Sequence, residues 1–130
     1  MKDYSRNDYI AYRLEKAFET FSAAEVLVKD KLWNSAVNRL YYACFYAVSA
    51  LLVSENLKAF THNGVKTQFF SKYVKSGIID KSYSKLYSNL FDWRQKGDYS
   101  DFFDLTEQDI VPLVKPTEEL IRLIKVLLDK

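Results

Sequence analysis

The chain has 130 residues, three glycines, two prolines and a formal net charge of +2. A length that fills one domain, Gly and Pro well under their usual roughly 7% and 5%, and nearly balanced charge exclude a turn-rich β-sandwich, a disordered tail protein and a polybasic nucleic-acid glove. A lone cysteine, Cys44, excludes an internal disulfide or a Cys-rich zinc site, and two Trp, ten Tyr and nine Phe supply apolar surface for a single core.

The opening residues MKDYSRNDYI place no apolar stretch behind a basic start, so no signal peptide is expected there. The first helix is predicted from Ile10, Leu14, Ala17, Phe21, Ala24 and Val28, which recur at spacings of four and three and share one stripe. Lys29, Asp30 and Lys31 close it. The second helix is predicted from about Asn34 to Glu55. Trp33, Val37, Leu40, Cys44, Ala47, Leu51 and Leu52 form one stripe, while Tyr42, Phe45, Tyr46, Ala50 and Val53 cover much of the rest. A helix apolar on nearly every side sits at the centre of a bundle. Its apolar run, Ala36 to Val53, is broken by Asn38, Arg39 and Ser49 and is short for a membrane span, so a soluble cytoplasmic protein is expected.

ENLKAF then reads as a linker. Thr61 caps a third, shorter helix through about Lys75, with Val65, Phe69 and Tyr73 inward, and Gly77 stops it. Asp80 caps a fourth, with Tyr83, Leu86 or Tyr87, Leu90 and Trp93 inward and an end near Lys96 and Gly97. Thr106 and Asp109 resemble a capping box for a last helix with the stripe Leu113, Thr117, Leu120, Ile124 and Leu127. Pro112 and Pro116 predict a kink, or a short turn before its main body. No segment alternates with period two over a useful length. The expected fold is therefore all-α: a single domain over residues 1–130, an antiparallel four-helix up-and-down bundle with a short extra helix.

Most catalytic signatures are missing. The chain has no P-loop, GxGxxG or GxSxG, and a single histidine cannot furnish a metal cluster, so neither a metal site nor a cofactor is expected. The acidic pairs Asp101 and Asp104, and Glu118 and Glu119, read as favourable charge near helix starts. Three polar features remain: Asn38 with Arg39, Thr61-His62-Asn63, and RQKGDY from Arg94 to Tyr99. Arg39, Tyr42 and Tyr46 share a helix face, and Arg94 lies at the inner edge of its own helix. Brought together, these guanidiniums, imidazole, acid and phenols would line a cleft suited to phosphate. Blander readings stand beside that one. Arg94 and Asp98 are four apart and form a helix-end salt bridge; Arg39 is a structural arginine held by an acid such as Asp98; His62 serves capping or hydrogen bonding; Cys44 is an inert buried thiol.

The blocks SAVNRLYYACFYAVSALL, THNGVKTQFF and RQKGDY, in that order, resemble the HEPN domain, in particular its small single-domain prokaryotic branch. The resemblance covers roughly Asp8 to Leu128. It implies a four- or five-helix bundle, often a homodimer, frequently paired with a minimal nucleotidyltransferase. It also implies nucleotide or RNA binding. Many members are metal-independent RNases, including toxins of toxin–antitoxin pairs, whose motif is an arginine followed closely by a histidine. Here Arg94 is followed by Gln95, Lys96, Gly97, Asp98 and Tyr99, with no later histidine. The enzyme question is therefore open at this point. The candidate catalytic residues are Arg94, Asp98, Tyr99 and His62; the candidate nucleotide- or phosphate-binding residues are Arg39, Asn38, Tyr42 and Arg94. The leading reading is a nucleotide- or RNA-binding module acting with a nucleotidyltransferase partner; the alternatives are an RNase toxin and a non-catalytic dimeric scaffold.

Overall fold

A computed structural model describes residues 5–59, 61–100 and 103–130. Expectations resting on the first four residues, on Phe60 of the linker and on Asp101 lie outside them. The helices are α1 (Arg6–Lys29), α2 (Trp33–Ser54), α3 (His62–Phe69), α4 (Lys81–Tyr99) and α5 (Glu107–Leu128). A π-helical turn, Phe70–Val74, extends α3. No strand occurs among the described residues, so the fold is all-α as the periodicity dictates.

Local chemistry sets the boundaries. Ser5 and Asp8 form a reciprocal capping box at the start of α1, with Ser5 Oγ accepting from the Asp8 N–H at 3.1 Å. Thr61 Oγ1 accepts from the Gly64 N–H, and Asp80 accepts from the Ser82 N–H. At α5 the Thr106 N–H and hydroxyl both donate to Asp109 Oδ2. Lys31, at φ 60°, ends α1 with Leu32 N–H donating to the Leu27 carbonyl and Lys31 N–H to that of Val28. Asn56, at φ 58°, ends α2 in the same way. Both closures place a non-glycine residue in the left-handed region.

The three-residue connection after Lys29 turns α2 back along α1, and this pair makes the most extensive packing in the molecule. Helix α2 touches α1, α3, α4 and α5, the central position its all-round apolar surface requires. By length and composition alone α2 would cross a membrane, yet most of that stretch is covered by the other helices. Val37, Leu40, Tyr41, Cys44, Ala47 and Val48 are fully buried there.

Three details differ from the sequence expectation. First, α4 runs through Gly97 to Tyr99. Gly97 is helical, and it lies against Asn34 of α2, whose atoms begin 3.8 Å from where a Cβ would stand. Second, the inward face of α4 is Leu86, Tyr87, Leu90, Phe91 and Arg94, while Tyr83 and Trp93 are half-buried. Third, α5 is one helix through both prolines, not a turn followed by a helix. Pro112 is exposed and Pro116 half-buried, and the carbonyls of Gln108 and Pro112, four residues earlier, lose their helical donors.

Candidate functional site

The polar residues meet where the C-terminal part of α4 crosses the N-terminal half of α2. Arg94 is 8% exposed, and its guanidinium carbon sits 4.8 Å from the Tyr41 ring centroid, 5.8 Å from Tyr42 and 6.0 Å from Phe91. Its Nε is buried with no hydrogen-bond partner among the described residues. Its one ion pair among the described residues, Nη1 to Asp98 Oδ2, is 4.0 Å long, an attraction without a hydrogen bond. Such a cation is held mainly by aromatic faces and keeps most of its donor capacity.

Asp98 is shared with α2. Asn38 Nδ2 donates to its two oxygens at 3.2 and 3.4 Å. Arg39 does not pair with Asp98: its Nε and Nη2 donate to Asn38 Oδ1 at 3.0 and 2.8 Å. Arg39 also stacks over Tyr42, 5.1 Å from its centroid. The Tyr42 ring is therefore flanked by both guanidiniums. Beside this network lies a hollow of about 390 Å³, lined chiefly by Asn34, Ser35, Asn38, Arg39, Gly97 and Asp98. Gly97 faces Asn34 at its rim, where an added Cβ would make ordinary contact at 3.8 Å.

His62 begins α3 and joins the cluster through rings. Its Nδ1 lies 2.7 Å from Tyr41 Oη, and its ring centroid is 4.8 Å from Phe45 and 5.7 Å from Tyr42. Burial, then the nearby Arg94 charge, holds the imidazole pKa below its usual value, so His62 is neutral at pH 7. Burial pushes Tyr41 up to about 12, so its phenol keeps its proton. Tyr99 stands apart: it is 78% exposed and lines a different hollow with Asp92, Gln95 and Lys96.

Cys44 is fully buried and burial pushes its thiol up to about 12, the inert state its stripe position implies. No group of three or more His, Cys, Asp or Glu able to hold a metal occurs among the described residues.

Sequence reasoning missed Tyr41, Phe91 and Asn34. Tyr41 and Phe91 lay in none of the stripes singled out, and only their position against Arg94 gives them a role at the site. Asn34 looked like a helix-start residue, yet its amide donates to the Phe103 carbonyl at 2.8 Å and accepts from the Leu105 N–H at 2.9 Å. It thereby ties the segment after α4 to α2, beside the hollow.

Comparison with known proteins gives this geometry a family. The HEPN domain model matches residues 10–127. A Thermotoga maritima protein named UPF0332 is 35% identical over 120 residues, covering 92% of this chain and 91% of its own length. A Methanocaldococcus jannaschii protein, provisionally named as a toxin, is 34% identical over 112 residues, covering 86% and 83% respectively. An Archaeoglobus fulgidus UPF0332 protein is 25% identical over 115 residues, covering 88% and 91%. With its family model spanning nearly all of a bundle in which the three recognition blocks converge, this chain belongs to the HEPN domain family.

Proposed function

We propose that this protein binds a phosphate of RNA or of a nucleotide at the junction of α2 and α4, using Arg94 and Arg39 as donors with Asn38 and Tyr42 beside them. The observation that carries this reading is Arg94: a buried guanidinium whose Nε has no partner and whose carboxylate neighbour stays 4.0 Å away. A buried charge left with unused donors costs stability, which an arriving anion would recover. The Asp98 carboxylate accepts from Asn38 and stays 4.0 Å from Arg94, so it leaves guanidinium donors for a phosphate.

Titration calorimetry with AMP and with short RNAs tests the reading. Wild type should bind, and Arg94→Met should weaken binding by at least about tenfold, the scale of a lost charge-assisted contact. Absence of binding by wild type, or equal binding by the variant, overturns it.

A second reading, RNA cleavage by a toxin, has its own support. Two Methanocaldococcus jannaschii relatives carry provisional toxin names, and His62 supplies a neutral imidazole next to Arg94. In such a reaction a 2′-hydroxyl would attack its own phosphorus and pass its proton to His62. Arg94 would steady the charge on the phosphate, and the departing 5′-oxygen would take a proton from water. Cleavage in the presence of a chelator, lost in both His62→Gln and Arg94→Met, supports this; cleavage that persists in either variant removes that residue from the chemistry. The same reading calls for a protein partner that restrains the toxin, and the family resemblance makes a small nucleotidyltransferase and a second copy of this chain the partners to test by co-expression and solution mass.

A further inference from the structure

A second arginine–aromatic cluster lies on the same side of α2, two turns along. Arg13 of α1 donates from Nη2 to Tyr9 Oη at 2.7 Å. Its guanidinium carbon lies 5.1 Å from the Tyr9 ring centroid and 5.6 Å from that of Tyr46. Its Nε is buried and has no partner among the described residues. Next to it opens a groove of about 350 Å³ whose lining is mainly apolar, Phe45, Leu52 and Val65 among it, with Tyr9, Arg13, Ser49 and Lys58 as its polar residues and no acidic side chain among its lining residues. Two rings, Tyr9 and Phe45, and two cations, Arg13 and Lys58, in an otherwise mainly apolar groove offer a nucleotide a π-face for the base and positive charge for the phosphate.

The two clusters are linked. Tyr42, flanked by Arg39 and Arg94, lies 6.1 Å from Tyr46, centroid to centroid, and Tyr46 is stacked by Arg13. The order along the surface is Arg39, Tyr42, Tyr46, Arg13, Tyr9. From Arg39 to Tyr46 is seven residues, about 10 Å of helix at 1.5 Å per residue. That is a run of two adjacent rings with a cation at each end, longer than one phosphate requires.

We propose that Tyr9, Arg13 and Lys58 form a separate subsite for a further nucleotide of a single-stranded RNA whose phosphate is held at Arg39 and Arg94, the strand running along Tyr42 and Tyr46. This rests on the phosphate site above and adds to it a second contact region, on α1 and the segment after α2, for a further nucleotide of the strand. Base stacking and cation contact are sequence-tolerant, so the subsite favours strand length over base identity.

The test compares AMP with a hexauridylate on the full chain, by calorimetry and fluorescence anisotropy. Wild type should bind the hexanucleotide more tightly than AMP. Tyr9→Ala, a substitution at a 43% exposed ring, and Arg13→Gln should each weaken the hexanucleotide about tenfold while leaving AMP within about twofold. Lys58→Gln should lower the slope of log affinity against log salt by about one for the hexanucleotide alone. Arg94→Met should weaken both ligands. Equal affinity of wild type for AMP and hexanucleotide, or variants that weaken both ligands alike, overturns the subsite and leaves the phosphate site standing. No wild-type binding of either ligand sinks the phosphate site and the subsite with it. A changed solution mass in Tyr9→Ala or Arg13→Gln marks this face as an interface between copies and overturns the subsite.

Discussion

Arg94 carries two opposed energies. Its aromatic cradle contributes about 0.5–2 kcal/mol of cation–π attraction, while its buried, unsatisfied N–H costs about 1–3 kcal/mol. These are of opposite sign and similar size, so Arg94→Met, which removes the charge, should alter folding stability by no more than about 2.5 kcal/mol while weakening ligand binding by at least about tenfold. Denaturant melts of the two proteins check this; a loss of several kcal/mol would make Arg94 a structural residue. His62 gives a pH test. Its folded-state pKa lies below the unfolded value, so between the two the unfolded chain binds more protons. The contribution of neutral His62 is thus full above about pH 6.5 and declines as pH falls through the folded-state pKa. Wild type should lose more stability than His62→Gln on going from about pH 7.5 to pH 5.5. Equal losses would mean that the imidazole titrates alike in both states.

At the scale of the elements, helix ends and glycines make sharper tests than helix bodies. Lys31 occupies a left-handed position at φ 60° that costs a side-chain-bearing residue about 1 kcal/mol, so Lys31→Gly should stabilise the α1–α2 turn by up to about that amount. Gly97 is the reverse case. It is helical and a Cβ there would meet Asn34 atoms at 3.8 Å, ordinary contact, so Gly97→Ala should raise stability by about 0.5–1 kcal/mol. Thermal melts of both variants check these signs. A destabilised Gly97→Ala would show that α4 must approach Asn34 more closely than the contact distance implies. The capping residues Thr61, Asp80 and Thr106 were readable in the sequence because a cap acts over three residues of chain. The continuity of α5 was not, because it depends on which side of the helix Pro112 and Pro116 face once the helix has packed.

Across the whole molecule, one buried cluster draws on every helix and centres on α2. Leu40, fully buried in its middle, is the test: Leu40→Ala should cost about 2–5 kcal/mol, with a single transition seen alike by far-ultraviolet dichroism and by Trp33 and Trp93 fluorescence. Separate transitions for the two probes would mean that α4 unfolds independently of α2.

What the sequence determined by itself is the helical content, the order of the elements and the central role of α2, because hydrophobic period and capping chemistry act over a few residues. It also marked Arg39, Asn38, His62, Arg94 and Asp98 as charged or polar groups out of place among apolar ones. Which of them touch was decided only by tertiary structure. Asn38 and Asp98 are 60 residues apart, and the crossing of α2 and α4 brings them within 3.2 Å. The same crossing seats Arg94 on Tyr41, leaves Arg39 to Asn38 rather than to a carboxylate, and turns Tyr99 outward. Contacts between distant segments depend on how whole helix faces interlock, and no short-range pattern along the chain encodes that.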